Sequence, residues 1–234
     1  MPESPPELTR RPEEPPPPSW ALDVADALKS QPGRVRAALT GGVASGKSTV
    51  ASLLVALGAD LIDFDVLARE VLAPFTPGWT EALKLFGPKF QKPDQSLDRP
   101  KIAALVFKKP LIRRALENIV HPLTWELTLQ KLDELKDSPL VIIDVPLLFE
   151  ANLNSLFKPV VVCFADPETQ YLRLRARDPK KSRFLVKRMI KSQKPYADKI
   201  RLADAIIDNR GSLSRLIQQT KDLWLRLKAW PNGA

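Results

Sequence analysis

The sequence has little of what secreted or membrane proteins need. Cys163 is the only cysteine in 234 residues, so an internal disulfide is excluded, and its place inside the apolar run 160–165 predicts a buried, unreactive thiol. The longest apolar runs have the length of a strand, and the N-terminus carries proline and charge where a signal peptide needs an apolar stretch. We therefore expect a cytoplasmic protein with no membrane partner.

Proline, in contrast, is abundant at the N-terminus. Residues 1–33 hold nine of the 23 prolines and mix Glu with Arg without apolar periodicity. This composition predicts a disordered or polyproline-like tail with no catalytic role. Within it, residues 20–28 could form a short amphipathic helix that docks on the body or on a partner, and a frayed segment is the alternative.

One glycine-rich segment indicates nucleotide binding. Residues 41–48 read G-G-V-A-S-G-K-S, which satisfies the pattern G-x-x-x-x-G-K-[ST], and they follow a strand-like run and precede a helical one. In such a phosphate loop, glycines let backbone N–H groups face a triphosphate, the lysine reaches the β- and γ-phosphates, and the serine hydroxyl can bind Mg²⁺. The pattern predicts binding of a nucleoside triphosphate and Mg²⁺ through Gly42, Val43, Ala44, Ser45, Gly46, Lys47, Ser48 and Thr49.

Strand-like and helical runs alternate from residue 34 onward. Apolar strand-like runs occur at 35–40, 60–63, 140–145, 160–164 and 205–208. Apolar strands separated by helices predict a mostly parallel sheet covered on both faces, and hence a three-layer α/β/α phosphate-loop fold. We expect its core to comprise residues 34–65 and 138–234. Its last helix is expected to begin after Ser212 and to pack with Leu213, Leu216, Ile217, Leu223, Trp224 and Leu227.

Residues 66–137 show no strand signal. Their helical segments are interrupted by prolines, among them Pro110 and Pro122, which predicts an α-helical insertion. The insertion either binds the acceptor substrate or is a simple helical crossover. We expect Trp79, Phe86 and Trp125 to belong to its apolar core.

The net charge of +9 is concentrated in one segment. Residues 173–201 carry twelve basic and two acidic side chains, so the remainder of the chain sums to −1. A basic helical lid could neutralise the charge of a transferring phosphoryl group. A nucleic-acid surface is the alternative, but only Phe184 and Tyr196 could stack on bases, and no fingerprint of a common nucleic-acid module is present. We favour the lid, with Arg177 as its phosphate contact and Arg173 and Arg188 as further candidates.

From about Val35 to Leu216, the sequence resembles the dephospho-coenzyme A kinases, because it carries a set of motifs in the same order along the chain. The resemblance is carried by the loop and by Ile62-Asp-Phe-Asp65 with Ala68-Arg69, His121-Pro122, Asp144-Val-Pro-Leu-Leu-Phe-Glu150, Arg177-Asp178, Arg188 with Gln193, and Ala203-Asp204 through Ile207, Asn209 and Gly211. It implies a kinase that transfers the γ-phosphate of ATP to the ribose 3′-hydroxyl of dephospho-CoA, the last step of coenzyme A synthesis, with Mg²⁺.

The resemblance also implies roles for single residues. Lys47, Asp65 and Arg177 would be catalytic, with Asp65 positioning the acceptor hydroxyl, accepting its proton and reaching Mg²⁺ through a water. Arg69 and His121 would lie in the acceptor region, and for His121 a structural role is equally open. Asn209 and Gly211 would form the adenine-side turn. For Asp63 we expect a helix cap or a surface charge.

Two residues, Ala44 and Phe64, depart from the family pattern. For a third residue, Asp144, the sequence does not decide the role. Ala44 stands where the family usually has glycine, which is compatible only if that position does not need a positive φ. Phe64 stands where a small residue is usual. Asp144 ends an apolar run, as a Walker-B carboxylate does, but Val145 and Pro146 follow it, so the Asp-Glu pair of motor ATPases is missing. A structural or magnesium-linked role and no role are both open.

Other functions make different demands on the sequence. A kinase for another nucleoside or nucleotide would share the loop, and only its acceptor would differ. A regulatory GTP-binding protein would carry an N-K-x-D signature, which is absent. A nucleic-acid-dependent NTPase would show steep salt dependence. We expect a small-molecule substrate, no nucleic-acid partner, and a monomer or weak oligomer.

Overall fold

The computed structural model describes residues 16–18, 28–29 and 33–230. Most of the N-terminal tail and of the amphipathic segment 20–28 lies outside the described residues, so both expectations stay predictions. The chain divides into two compact units. The first takes in the chain up to Ile62 and from Asp137 onward, and the second is Asp63–Lys136.

The first unit is built on a five-stranded sheet. Its strands are β1 Val35–Gly41, β2 Asp60–Asp63, β3 Leu140–Asp144, β4 Val160–Phe164 and β5 Ala205–Asp208. The strand order is β2-β3-β1-β4-β5, and β1 pairs in parallel with both β3 and β4. Every residue of β1 and β3 is buried, as the apolar runs predicted. The predicted α/β fold with a mostly parallel sheet is confirmed.

The first unit also contains helices, and the second unit is mainly helical. In chain order the helices are α1 Lys47–Ala56, α2 Phe64–Glu70, α3 Pro77–Phe86, α4 Arg99–Lys108, α5 Pro110–Glu134, α6 Pro167–Arg177, α7 Arg183–Lys191, α8 Tyr196–Leu202 and α9 Leu213–Lys228. Short 3₁₀ turns occupy Pro88–Phe90 and Asn154–Leu156. Within the described residues, no helix is both long and apolar enough to cross a membrane.

The last helix packs on the sheet as its sequence predicted. The Ser212 hydroxyl accepts the Arg215 N–H at 3.4 Å and caps α9. Leu216, Leu223 and Leu227 are buried in one apolar cluster with residues of β1, β3 and α1. The expectation for Leu213 was wrong, because this first helical residue is 61% exposed.

The second unit has its own apolar cluster. Ala82, Phe86, Phe90, Leu97 and Ile102 form it, and Trp79 packs against it. Trp125 is buried separately in α5, where its ring meets Phe64 edge to face at 4.6 Å between centroids. The aromatic residues expected in the core of this segment are therefore buried or packed on it, and Phe64 fills space beside Trp125.

Prolines begin three of the four helices of this unit. Pro77, Pro100 and Pro110 lie in the first turns of α3, α4 and α5, where the missing N–H costs nothing. The predicted interruption at Pro122 was wrong, because Pro122 lies inside the 25-residue helix α5. Since α2, α3 and α4 all pack against α5, tertiary contacts outweigh the unfavourable helix propensity of one proline.

Candidate active site

The phosphate loop connects the end of β1 to the start of α1. Gly46, the residue before the helix, has a φ of 92°. The N–H groups of Gly46, Lys47 and Ser48 donate to no acceptor within the described residues. Because the first amides of a helix have no intrahelical partner and carry the positive end of its dipole, these groups can bind an anion.

Polar side chains from α6, from α8 and from Gln193 hold the backbone of the loop. The Gly42 N–H donates to Tyr196 Oη at 2.8 Å, and the Val43 N–H donates to Gln193 Oε1 at 2.8 Å. In the opposite direction, Gln170 Nε2 donates to the Val43 carbonyl at 2.8 Å. The loop is therefore held by side chains that lie far from it in the sequence.

A second set of contacts converges on the Ser45 carbonyl. It accepts hydrogen bonds from Asn209 Nδ2 at 2.7 Å, from Arg173 at 3.2 Å and from the Cys163 thiol at 3.3 Å. Arg173 also donates to the Asn209 carbonyl at 2.9 Å. Burial raises the pKa of Cys163 to about 11, which agrees with the predicted unreactive thiol.

Lys47 forms an ion pair with Asp144. The Asp144 side chain is only 4% exposed, and Lys47 Nζ contacts its Oδ1. Asp144 is brought there by the sheet, because it ends β3 and is paired in register with Leu39 of the neighbouring β1. Carboxyl ends of parallel strands meet at one edge of a sheet, so the loop after β1 and the end of β3 share that edge. This contact with the loop lysine favours a structural role for Asp144, and a magnesium-linked role stays a prediction.

Ala44 has the positive φ that would make an alanine unfavourable at this position of the family pattern. Its φ is 56°, in the left-handed region that L-residues with a Cβ seldom occupy. The loop needs a positive φ at this position, and Ala44 bears the strain that a glycine would relieve.

We predict that Ala44→Gly stabilises the protein. Relief of the left-handed strain exceeds the entropy cost of glycine, so the free energy of unfolding should rise by about 1 kcal/mol, or a few °C in Tm for a chain of this size. Thermal or urea unfolding measures it. The same substitution at Ala104, exposed in the helix α4, should have the opposite sign. A destabilised Ala44→Gly would show that the loop is not strained here.

The two aspartates after β2 have different local roles. Asp63 caps α2 by accepting the N–H groups of Asp65 at 2.8 Å and Val66 at 3.1 Å, in agreement with the cap expected for it. Asp65 is exposed in the first turn of α2, and Arg69 is exposed one turn later on the same helix. Both side chains are therefore available to a substrate.

His121 lies half-buried inside α5. Burial lowers its pKa, with the charge of Arg113 acting in the same direction and that of Glu117 opposing it. Arg113 and Glu117 are themselves paired at 2.7 Å. At neutral pH the imidazole is therefore uncharged.

This shift predicts an acid-sensitive contribution of His121 to stability. Its pKa is lower in the folded than in the unfolded state, so the unfolded chain binds more protons as the pH falls below about 6.5, the ordinary value. The wild type should lose more stability between pH 7.5 and 5 than His121→Gln, which cannot titrate there. Urea unfolding at both pH values measures the difference, and equal losses would contradict the prediction.

The other predicted site residues lie as follows. Arg177 is the exposed last residue of α6, whereas Arg173, one turn earlier, contacts the loop. Asn209 is buried against Ser45, and Gly211 is exposed beside Arg215. Gln170 and Tyr196 were not predicted as loop contacts. Gln170 and Arg173 are three residues apart, so a helix places both on one face, and this spacing could have indicated a shared contact with the loop. No sequence signal marks Tyr196 as a loop contact.

The parallel sheet, the loop after its central strand and the lysine–aspartate pair define a phosphate-loop nucleotide-binding protein of the α/β class. Residues 35–215 match the family model for dephospho-CoA kinase, and the chain belongs to that family.

Relatives and solved structures agree with this assignment. The chain is 40% identical over 188 residues to a dephospho-CoA kinase of Geobacter metallireducens, covering 80% of this chain and 93% of the relative. It resembles the crystal structure of TT1252 from Thermus thermophilus with a TM-score of 0.73 at 33% identity, covering 83% and 98% of the two chains. A dephospho-CoA kinase from Campylobacter jejuni gives a TM-score of 0.62 at 25% identity, with coverages of 82% and 96%.

Proposed function

We propose that this protein transfers the γ-phosphate of ATP to the ribose 3′-hydroxyl of dephospho-CoA, giving CoA and ADP. The observation that carries the proposal is the family match over residues 35–215, which includes the complete phosphate loop. Agreement of the loop with its pattern alone would support only the binding of a nucleoside triphosphate.

The phosphate loop binds the triphosphate in this proposal. The N–H groups of Gly46, Lys47 and Ser48 have no protein acceptors among the described residues, and they would donate to phosphate oxygens. Lys47 would leave Asp144 to contact the β- and γ-phosphates. Its positive charge stabilises the negative charge that spreads over the γ-phosphoryl group in the transition state.

The residues near the loop fit a bound Mg²⁺. Ser48 is exposed at the first turn of α1, and the Asp144 carboxylate contacts Lys47. The described residues contain no cluster of three metal-ligating side chains, which suits an ion that takes many of its ligands from phosphates and water. Ser48 would hold the ion directly and Asp65 through a water. When bound, Mg²⁺ neutralises phosphate charge.

Asp65, Arg69 and His121 are proposed to bind the acceptor. Asp65 and Arg69 are exposed on one face of α2, one turn apart, so a carboxylate and a guanidinium face a common substrate. Asp65 would orient the 3′-hydroxyl and accept its proton as the phosphoryl group arrives. A neutral His121 suits hydrogen bonding to the acceptor better than an electrostatic contact with its phosphates.

Residues that follow β4 in the chain complete the proposed nucleotide site. Arg177 would contact the transferring phosphoryl group from α6, and Asn209 and Gly211 would form the turn beside the adenine. The segment 66–137 would serve as the acceptor-binding insertion, and residues 173–201 as the lid. The protein is proposed to act in the cytoplasm as a monomer or weak oligomer.

ADP release measured with Mg²⁺-ATP, with and without dephospho-CoA, tests the proposal. We expect ADP release to depend on dephospho-CoA, and mass analysis should show one phosphate gained at the 3′ position. CoA itself is the matched control, because its 3′-hydroxyl already carries a phosphate and cannot accept another. ATP binding without turnover on dephospho-CoA would contradict the acceptor and leave the nucleotide site standing.

A further inference from the structure

A buried ion pair lies next to the segment that holds the phosphate loop. Lys199 in α8 is 1% exposed, and its Nζ lies 2.8 Å from Glu150 Oε1 in the turn after β3. Among the described residues this ammonium has no hydrogen-bond partner, so the contact with Glu150 is ionic. Removing a lysine charge from water is costly unless an opposite charge compensates for it. The carboxylate of Glu150 is therefore what makes the burial of Lys199 tolerable.

The same carboxylate also holds the backbone beside Gln193. Glu150 Oε1 accepts the Lys194 N–H at 2.9 Å. Lys194 in turn donates from Nζ to the Phe149 carbonyl and, at 3.1 Å, to Asn152 Oδ1. The turn 149–152 is thus bound to the segment 194–199 at both ends of that segment. Glu150 is central because it contacts both Lys194 and Lys199.

This segment also supplies acceptors for the loop amides. Gln193 precedes Lys194, and its Oε1 accepts the Val43 N–H, while Tyr196, three residues before Lys199 on α8, accepts the Gly42 N–H. The Lys199 ammonium lies 5.8 Å from the centre of the Tyr196 ring, within range of a cation–π contact. A displacement of residues 193–199 would therefore move both acceptors away from the loop.

We propose that Glu150 and Lys199 are positioning residues that set the shape of the phosphate loop through Gln193 and Tyr196. The inference depends on the proposed function only in that the loop binds ATP. It also changes the interpretation of the basic segment 173–201, because Lys199 is one of the twelve basic side chains counted toward the lid. Its charge is directed into the protein instead.

Equilibrium binding of ATP to Glu150→Gln and Lys199→Met tests the inference. Each change leaves one buried group without its counter-charge. We expect the Kd for ATP to rise about tenfold, an effect of the size usually measured between residues that are in contact. The KM for dephospho-CoA should stay within about twofold, because the change acts on nucleotide binding. Lys221→Met, which removes an exposed lysine of α9, is the matched control and should leave both values unchanged.

A double-mutant cycle separates positioning from a merely structural role. In a background of Gln193→Ala with Tyr196→Phe, Lys199→Met should weaken ATP binding by less than about twofold further, because its effect passes through those two side chains. A full, independent loss in that background would overturn the inference, as would unchanged ATP affinity in the folded single variant.

The cycle is protected against two failures. If Lys199→Met does not fold, Glu150→Gln replaces it in the same cycle, because glutamine keeps an oxygen that can accept the Lys194 N–H. ATP binding is measured without an acceptor, so the result does not depend on which acceptor the enzyme uses. If dephospho-CoA is not phosphorylated but the cycle shows coupling, the proposed function fails and the inference stands.

Discussion

Lys47→Met should strongly reduce phosphoryl transfer, although the protein should still fold. Lys47 is the cation of the phosphate loop, and its loss removes the charge that stabilises the γ-phosphoryl group in the transition state. We expect kcat to fall at least about a hundredfold, as when one preorganised donor is removed from an active site. Steady-state ADP release with saturating ATP and dephospho-CoA measures it.

Lys47→Met should also lower the stability of the protein, and a second substitution at Asp144 separates that effect from the loss of activity. Without Lys47, the nearly buried Asp144 carboxylate loses its counter-charge, so the free energy of unfolding should fall by about 3 kcal/mol. Adding Asp144→Asn removes the uncompensated charge and should restore much of the Tm without restoring turnover. If the double variant regained activity, the loss in Lys47→Met would have been a stability effect. A Lys47→Met enzyme as active as the wild type would refute the proposed chemistry.

Asp65→Asn should reduce turnover far more than nucleotide binding. The exposed carboxylate of Asp65 is proposed to orient the acceptor hydroxyl and to take its proton, and asparagine keeps the size of the side chain without the basicity. We expect kcat to fall about a hundredfold, within the range for loss of general base catalysis. The Kd for ATP, measured by titration, should stay within about twofold.

Asp63→Asn is the matched control for this variant. Asp63 lies two residues earlier and caps α2 through the N–H groups of Asp65 and Val66. Asparagine caps a helix about as well as aspartate, so this variant should keep both its Tm and its kcat. Equal losses of kcat in the two variants would assign the effect to the start of α2 and remove the special role of Asp65.

Local patterns in the sequence were sufficient for the strands and for the loop. The strand-like runs at 35–40 and 140–145 differ by one residue each from β1 and β3, because a strand buried on both faces must be apolar at nearly every position. The caps Asp63 and Ser212 were also expected correctly, since a side chain that accepts the first amides of a helix acts within three residues of itself.

The expectations that failed depended on distant contacts. Pro122 was expected to interrupt a helix, but α5 continues through it because three other helices pack against α5. Ala44 was compatible with the family only without a positive φ, and the loop imposes a φ of 56°. Leu213 follows the apolar spacing of its helix but lies exposed at the first turn, where spacing does not define depth.

The sequence by itself determined the class of the protein, because the phosphate loop, the apolar strands and the order of the motifs are local patterns that the linear chain carries. The tertiary structure alone decided what each charge does. Asp144 meets Lys47 only because β3 lies beside β1, and Lys199 meets Glu150 only because α8 packs near the turn after β3. Residues about fifty to one hundred positions apart become partners through folding, and no local pattern records which charge each of them will face.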